Sequence, residues 1–127
     1  MIKKYILLTN NQKVFENFNK DIEIQFDKEY DYMDVLVAAR KLIHSGYVLE
    51  THPLSGSIKP NETPFKSIIL SKGNSTTDTQ SLLIIEDAIA TYLKFKSNRP
   101  TPNWIGSAVE DFMTIDCSLI KTVIDKL

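Results

Sequence analysis

Apolar residues recur along this chain with two different periods, and the alternation between them outlines its elements. Tyr5 to Leu8 is a continuous apolar run closed by Thr9-Asn10-Asn11, the pattern of a strand covered on both faces. Val14, Phe15 and Phe18 follow at helical spacing, with Asn10 or Asn11 placed to cap that helix. Ile22, Ile24 and Phe26 then alternate with Glu23, Gln25 and Asp27, which predicts a half-buried edge strand. Tyr32, Val35, Leu36, Ala39, Leu42 and Ile43 form one stripe, so a helix is expected from Tyr32 to Ser45, with Asp31 at its N-cap and Gly46 just past its end. A strand over 47–51 leads to His52. Ile68, Ile69 and Leu70 mark another buried strand from Ser67 to Ser71, and a polar turn follows over 73–78.

Leu82 to Phe95 reads as a second long helix, with Ile85, Ile89 and Tyr92 on its apolar face, and Pro100 and Pro102 break it. Beyond them Ser107 and Glu110 have the spacing of a capping box. Val109, Phe112 and Met113 face inward, and Asp116 stands where it would cap a last helix carrying Leu119, Ile120, Val123, Ile124 and Leu127. Strands alternating with helices predict an α/β fold. The expectation is a small layered sandwich with a mostly parallel sheet of about four strands, helices on both faces and extra C-terminal helices. One α/β domain over 1–127 is expected, with a helical C-terminal subregion over about 104–127.

Composition narrows the function more than it identifies it. Of 127 residues, 43% are hydrophobic, enough for a real core and too many for a disordered chain. Fifteen basic residues stand against sixteen acidic ones, for a net charge of −1. That removes the electrostatic case for nucleic acid or an anionic membrane surface as partner. One cysteine, Cys117, allows no internal disulfide and fits a reducing cytoplasm. The apolar run near the start is too short for a signal-peptide core or a membrane span. Two histidines and one distant cysteine give no metal-ligand spacing. Neither a phosphate loop nor a dinucleotide fingerprint is present, so no cofactor is expected.

Candidate chemistry gathers in the connection from His52 to Ser67, which carries Pro53, Pro60 and Pro64, a Ser55-Gly56-Ser57 turn, Lys59 and Lys66. Connections this long are usually functional or disordered, and the prolines argue for a defined shape. In open α/β sheets ligands bind beyond the carboxyl ends of the strands. Thr9-Asn10-Asn11 and His52 would share one rim if their strands run parallel. Ser55-Gly56-Ser57 can expose backbone amides to an anion, or the turn is simply a rigid surface feature; composition weighs the two equally. His52 is the one weak catalytic candidate, as a general base with Ser55 or Ser57 as nucleophile and Glu62 as orienter. It reads more simply as a hydrogen-bonded structural residue. Cys117, at an expected helix start, reads as a half-buried structural cysteine, and Trp104 as a core or lid contact.

The loop His52-Pro-Leu-Ser-Gly-Ser-Ile-Lys-Pro-Asn-Glu-Thr-Pro-Phe-Lys-Ser67, with Thr9-Asn10-Asn11 before it, resembles the GrdX family of small proteins encoded with the glycine reductase genes. The likeness covers nearly the whole chain, including the helix leading to Gly46 and the ending Asp111-Phe112-Met113-Thr114-Ile115-Asp116. It implies a cytoplasmic accessory of glycine reductase and carries over no catalytic residue. The first expectation is therefore an accessory protein with a polar pocket for a small anionic metabolite or a partner segment. Thr9, Asn10, Asn11, His52, Ser55, Gly56, Ser57, Lys59, Asn61 and Glu62 are its candidate ligand-binding residues. Lys59 would supply charge, the Ser-Gly-Ser turn donors, and Asn10 and Asn61 orientation. The alternatives are a small hydrolase or transferase using His52, and a purely structural assembly protein that docks on reductase components.

Overall fold

A computed structural model describes residues 4–54 and 59–127. The elements run β1 (Tyr5–Thr9), α1 (Gln12–Phe18), β2 (Glu23–Phe26), α2 (Tyr32–His44), β3 (Tyr47–Leu49), β4 (Ser67–Lys72), α3 (Thr79–Asn98) and α4 (Ser107–Ile124). Strand order is β2-β1-β4-β3. β1 pairs parallel with β2, while β4 lies antiparallel to both β1 and β3. The sheet is thus mixed, not mostly parallel. The physical reason lies in the connection: a parallel return needs a crossover, usually a helix, and among the described residues between β3 and β4 there is none.

β1, β2 and β3 nevertheless share one direction, so their carboxyl ends and the amino end of β4 form a single rim. Two-sided burial explains the apolar runs. Ile6, Leu8, Ile68 and Leu70 point to one face, where α2 and α3 cover them with Val35, Leu36, Ile43, Ile85 and Tyr92. Leu7 and Ile69 point to the other, against Val14 and Phe18 of α1 and Cys117 and Ile120 of α4. The four-stranded sheet therefore needs the C-terminal helix to complete its second layer.

Local chemistry fixes the element ends. Asn11 caps α1 by accepting from Lys13 N, and Asp31 and Asp34 form a reciprocal capping box on α2. Gly46 has φ 102°, and a Cβ there would sit 2.1 Å from the Asn74 carbonyl oxygen, so both the dihedral and the space demand glycine. At the C-terminus the pattern misleads. Residues 107–124 are one continuous helix whose N-cap is Gly106, without a side-chain cap. Ser107 and Glu110 make no capping box; Glu110 lies 3.6 Å from Lys13 Nζ instead. Asp116 does not start a helix, and Cys117 lies mid-helix in the core.

Candidate functional site

At the rim, a buried polar network joins β1, β4 and α4. Thr9 and Ser67 face each other in register across β1 and β4, with their hydroxyls 2.8 Å apart. Ser67 Oγ donates to Asp116 Oδ2 at 2.7 Å. Its single proton is thereby committed, so Thr9 donates to Ser67, and Thr9 in turn accepts from Asn11 N at 3.0 Å. Asn11 Nδ2 donates both to Asp116 Oδ2 at 3.0 Å and to the Met113 carbonyl at 2.9 Å. Asp116 is 8% exposed and Lys66 beside it 7%. Burial raises the Asp116 carboxyl above its ordinary value, opposed by hydrogen bonds from Asn11 and Ser67 and by the Lys66 charge. Burial lowers the Lys66 ammonium, opposed by Asp116. Two desolvated ionisable groups thus lie side by side at the rim.

Asn10 works as a rivet for the incoming loop. Its Nδ2 donates to the carbonyls of Tyr30 and Pro64, and its Oδ1 accepts from Lys66 N. An asparagine amide has two donor hydrogens, so Asn10 and Asn11 both have theirs committed inside the protein. With Thr9 they shape and hold the rim and have no donor left over for a ligand. Asn61 donates to the Arg99 carbonyl at 2.9 Å, while its buried Oδ1 has no hydrogen-bond partner among the described residues. The Trp104 indole donates to the Glu62 carbonyl at 2.7 Å, and its ring leans on Phe112 of α4. The segment between α3 and α4 thus straps the Pro-rich loop in place.

His52 and Lys59 are exposed. His52 Nδ1 accepts from Leu54 N at 3.1 Å. That bond occupies the Nδ1 lone pair. His52 makes no hydrogen bond to the Thr9–Asn11 cluster. Ser55, Gly56 and Ser57 lie outside the described residues.

β1 leads to α1 on one face of the sheet and neighbouring β2 leads to α2 on the other, so the chain direction switches between their carboxyl ends. A cleft of about 270 Å³ opens there, where open α/β sheets bind ligands. Asn10, Thr63 and Phe65 come from the rim and loop, Lys28, Tyr30 and Asp31 from beyond β2, and Tyr92, Lys96 and Thr101 from α3 and its exit. Tyr32 and Tyr92 stack within it, ring centroids 4.8 Å apart, and Lys96 Nζ lies 5.7 Å from the Tyr92 ring centre. Burial pushes up the hydroxyls of both tyrosines; at Tyr92 the charge of Lys96 opposes this and that of Asp31 adds to it. Sequence reasoning missed Lys28, Lys96 and Asp116 as site residues, and took Lys66 as loop charge that could serve an anion.

Larger clefts open elsewhere on the fold. The one between α1 and α4, about 440 Å³, holds Lys13 and Lys121, but these are paired with Glu110 and Asp125. No ion pair among the described residues uses Lys28 or Lys96. None of their groups of His, Cys, Asp and Glu could hold a metal, and no helix is long and apolar enough to cross a membrane.

The family model for GrdX-like proteins matches residues 6–125. The chain belongs to the GrdX-like family. The match spans all eight elements bar the first residue of β1, so the rim, the cleft and α4 all fall within what defines the family. No curated protein and no solved structure matches the chain.

Proposed function

We propose that this GrdX-like protein is a non-catalytic accessory of the glycine reductase system that binds a small organic anion in the cleft between the β1 and β2 ends. The observation that carries the reading is the pair Lys28 and Lys96, two ammonium groups without carboxylate partners among the described residues, lining one cleft at the switch of chain direction. The volume of about 270 Å³ falls just below the range of drug-sized pockets, so the ligand is of metabolite size. Tyr30, Thr63 and Thr101 add hydroxyls, and the stacked tyrosines form an apolar wall.

Thermal-shift titrations with acetate, propionate, phosphate and acetyl phosphate test the anion. Ligand at roughly 100 times its Kd stabilises the folded state by about 2.7 kcal/mol. The shift is expected in the wild type and in Lys59→Ala, and lost in Lys28→Gln and Lys96→Gln. A shift that survives both glutamine variants but vanishes in Lys59→Ala would move the site to the loop.

Association with the reductase rests on family membership, and an exposed apolar surface supports it. Ile105 is 78% exposed, and Ile115 and Leu119 lie one turn apart on the outer side of α4. Tagged protein is expected to co-purify with a reductase component from a cell that expresses the system. Failure with every component at low salt and high protein concentration would count against association.

A further inference from the structure

The same cleft that presents two lysines also presents a carboxylate, and that sets a condition on the ligand. Resting on the reading that the cleft binds a carboxylate, we infer that its ligand is a zwitterion of the amino-acid class, with its carboxylate at Lys28 and Lys96 and its ammonium at Asp31. Asp31 lines the cleft as the N-cap of α2, which is in itself a structural role. The cap uses one oxygen: Oδ1 accepts from Asp34 N at 2.8 Å, and Oδ2 has no hydrogen bond with any described residue. Serine or asparagine caps a helix as well as aspartate does, so capping does not call for the charge.

The helix dipole does not overturn the argument. The amino end of α2 amounts to roughly half a positive charge, which repels an ammonium. Asp31, the N-cap itself, sets a full negative charge against that half charge. The rings of Tyr30 and Phe65 line the cleft too, and aromatic faces attract ammonium groups. Lys96 above Tyr92 shows one cation already held in this way. Asp31 and Lys96 act with opposite sign on the Tyr92 hydroxyl, so both poles face one small space. A plain anion would leave Asp31 as a repulsive wall, whereas an amine-carboxylate satisfies both signs.

Calorimetric titration with three matched probes tests this: L-alanine, propionate, which lacks the amine, and ethylamine, which lacks the carboxylate. In the wild type L-alanine is expected to bind about tenfold or more tighter than either fragment, the ratio one well-formed charge contact provides. Asp31→Asn keeps the cap while removing the charge, and is expected to bring L-alanine down to the level of propionate without weakening propionate. Asp31→Ser serves the same purpose if the asparagine variant is poorly folded. Propionate binding as tightly as L-alanine, with the lysine dependence intact, would overturn the zwitterion and leave the anion site standing. Ethylamine matching L-alanine would overturn it as well. No saturable binding of any probe, together with lysine variants indistinguishable from wild type, would sink both readings.

Discussion

Asp116→Ala is expected to lower the unfolding free energy by about 3–5 kcal/mol, the cost of removing one partner from a buried charged network. In a domain of this size that is roughly 10–20 °C in Tm, read by circular dichroism in heat or urea. Alanine takes the acceptor away from the Ser67 hydroxyl and one Asn11 donor, both buried, and removes the carboxylate charge that favours the Lys66 ammonium. Lys66→Met in the Asp116→Ala background is expected to recover part of the loss, because the buried ammonium no longer has the Asp116 charge to favour it. A loss below about 1 kcal/mol would mean that the network is wet and weak.

The pH dependence has a definite sign. Burial raises the Asp116 pKa above its ordinary 3.8, so the folded state holds that proton more tightly than the unfolded chain does. Its contribution is greatest below 3.8 and is lost as pH rises through the folded value. Lys66 is lowered from 10.5, so the unfolded chain binds its proton more tightly, and stability from this group rises with pH toward 10.5. Asp116→Asn deletes the first effect, and with it the charge that holds the Lys66 ammonium up. The advantage of wild type over Asp116→Asn is therefore expected to shrink as pH goes from about 4 to about 7. An advantage that grows over that interval would show that Lys66 dominates and the carboxyl is depressed.

Periodicity makes most of the element map legible, because core burial is a local requirement written into every turn of α2 from Tyr32 to Ile43. It says nothing of strand direction: Ile68-Ile69-Leu70 is apolar on both faces whichever way β4 runs. The informative signal is the absence of a helical stripe in the preceding connection. Thr9-Asn10-Asn11 is legible as a polar cluster leaving a buried strand, and the three residues do meet at the rim. Asp116 is disguised because aspartate is a common N-cap, so it reads as a break between two helices. Taken as one helix, residues 107–124 place it in the inward series Val109, Phe112, Met113, Asp116, Cys117 and Ile120, where a carboxylate has no structural reason to be unless it is bonded. Lys66 reads as loop charge, since its burial depends on α4 lying across the rim. Lys28 and Lys96 sit on unrelated segments that only the tertiary fold brings to one cleft. The His52 loop attracts the eye by composition, yet its exposed histidine and lysine stand apart from that cleft.

Asn11→Ala is the second large effect, expected at about 2–4 kcal/mol: roughly 1 from the lost helix cap and the rest from acceptors left buried and short of a donor. The side chain does both jobs at once, since Oδ1 caps α1 at Lys13 N while Nδ2 ties α4 through Met113 and Asp116. Two further substitutions separate these roles. Serine keeps the cap but cannot reach both α4 partners, so Asn11→Ser is expected to recover only the capping part. Aspartate also caps well but sets a second carboxylate against Asp116, and Asn11→Asp is expected to be as unstable as alanine near neutral pH. Lowering the pH protonates one of the two carboxyls and restores a donor between them, so Asn11→Asp should gain on Asn11→Ala in acid. Trp104 is the only tryptophan and bridges the loop at Glu62 to Phe112 of α4, so its fluorescence reports whether α4 has lifted from the rim. In Asn11→Ala the indole is expected to become more exposed in denaturant before the helical signal is lost. If both signals change together in every variant, α4 is no separate lid, and the network stabilises the whole fold as one cooperative unit.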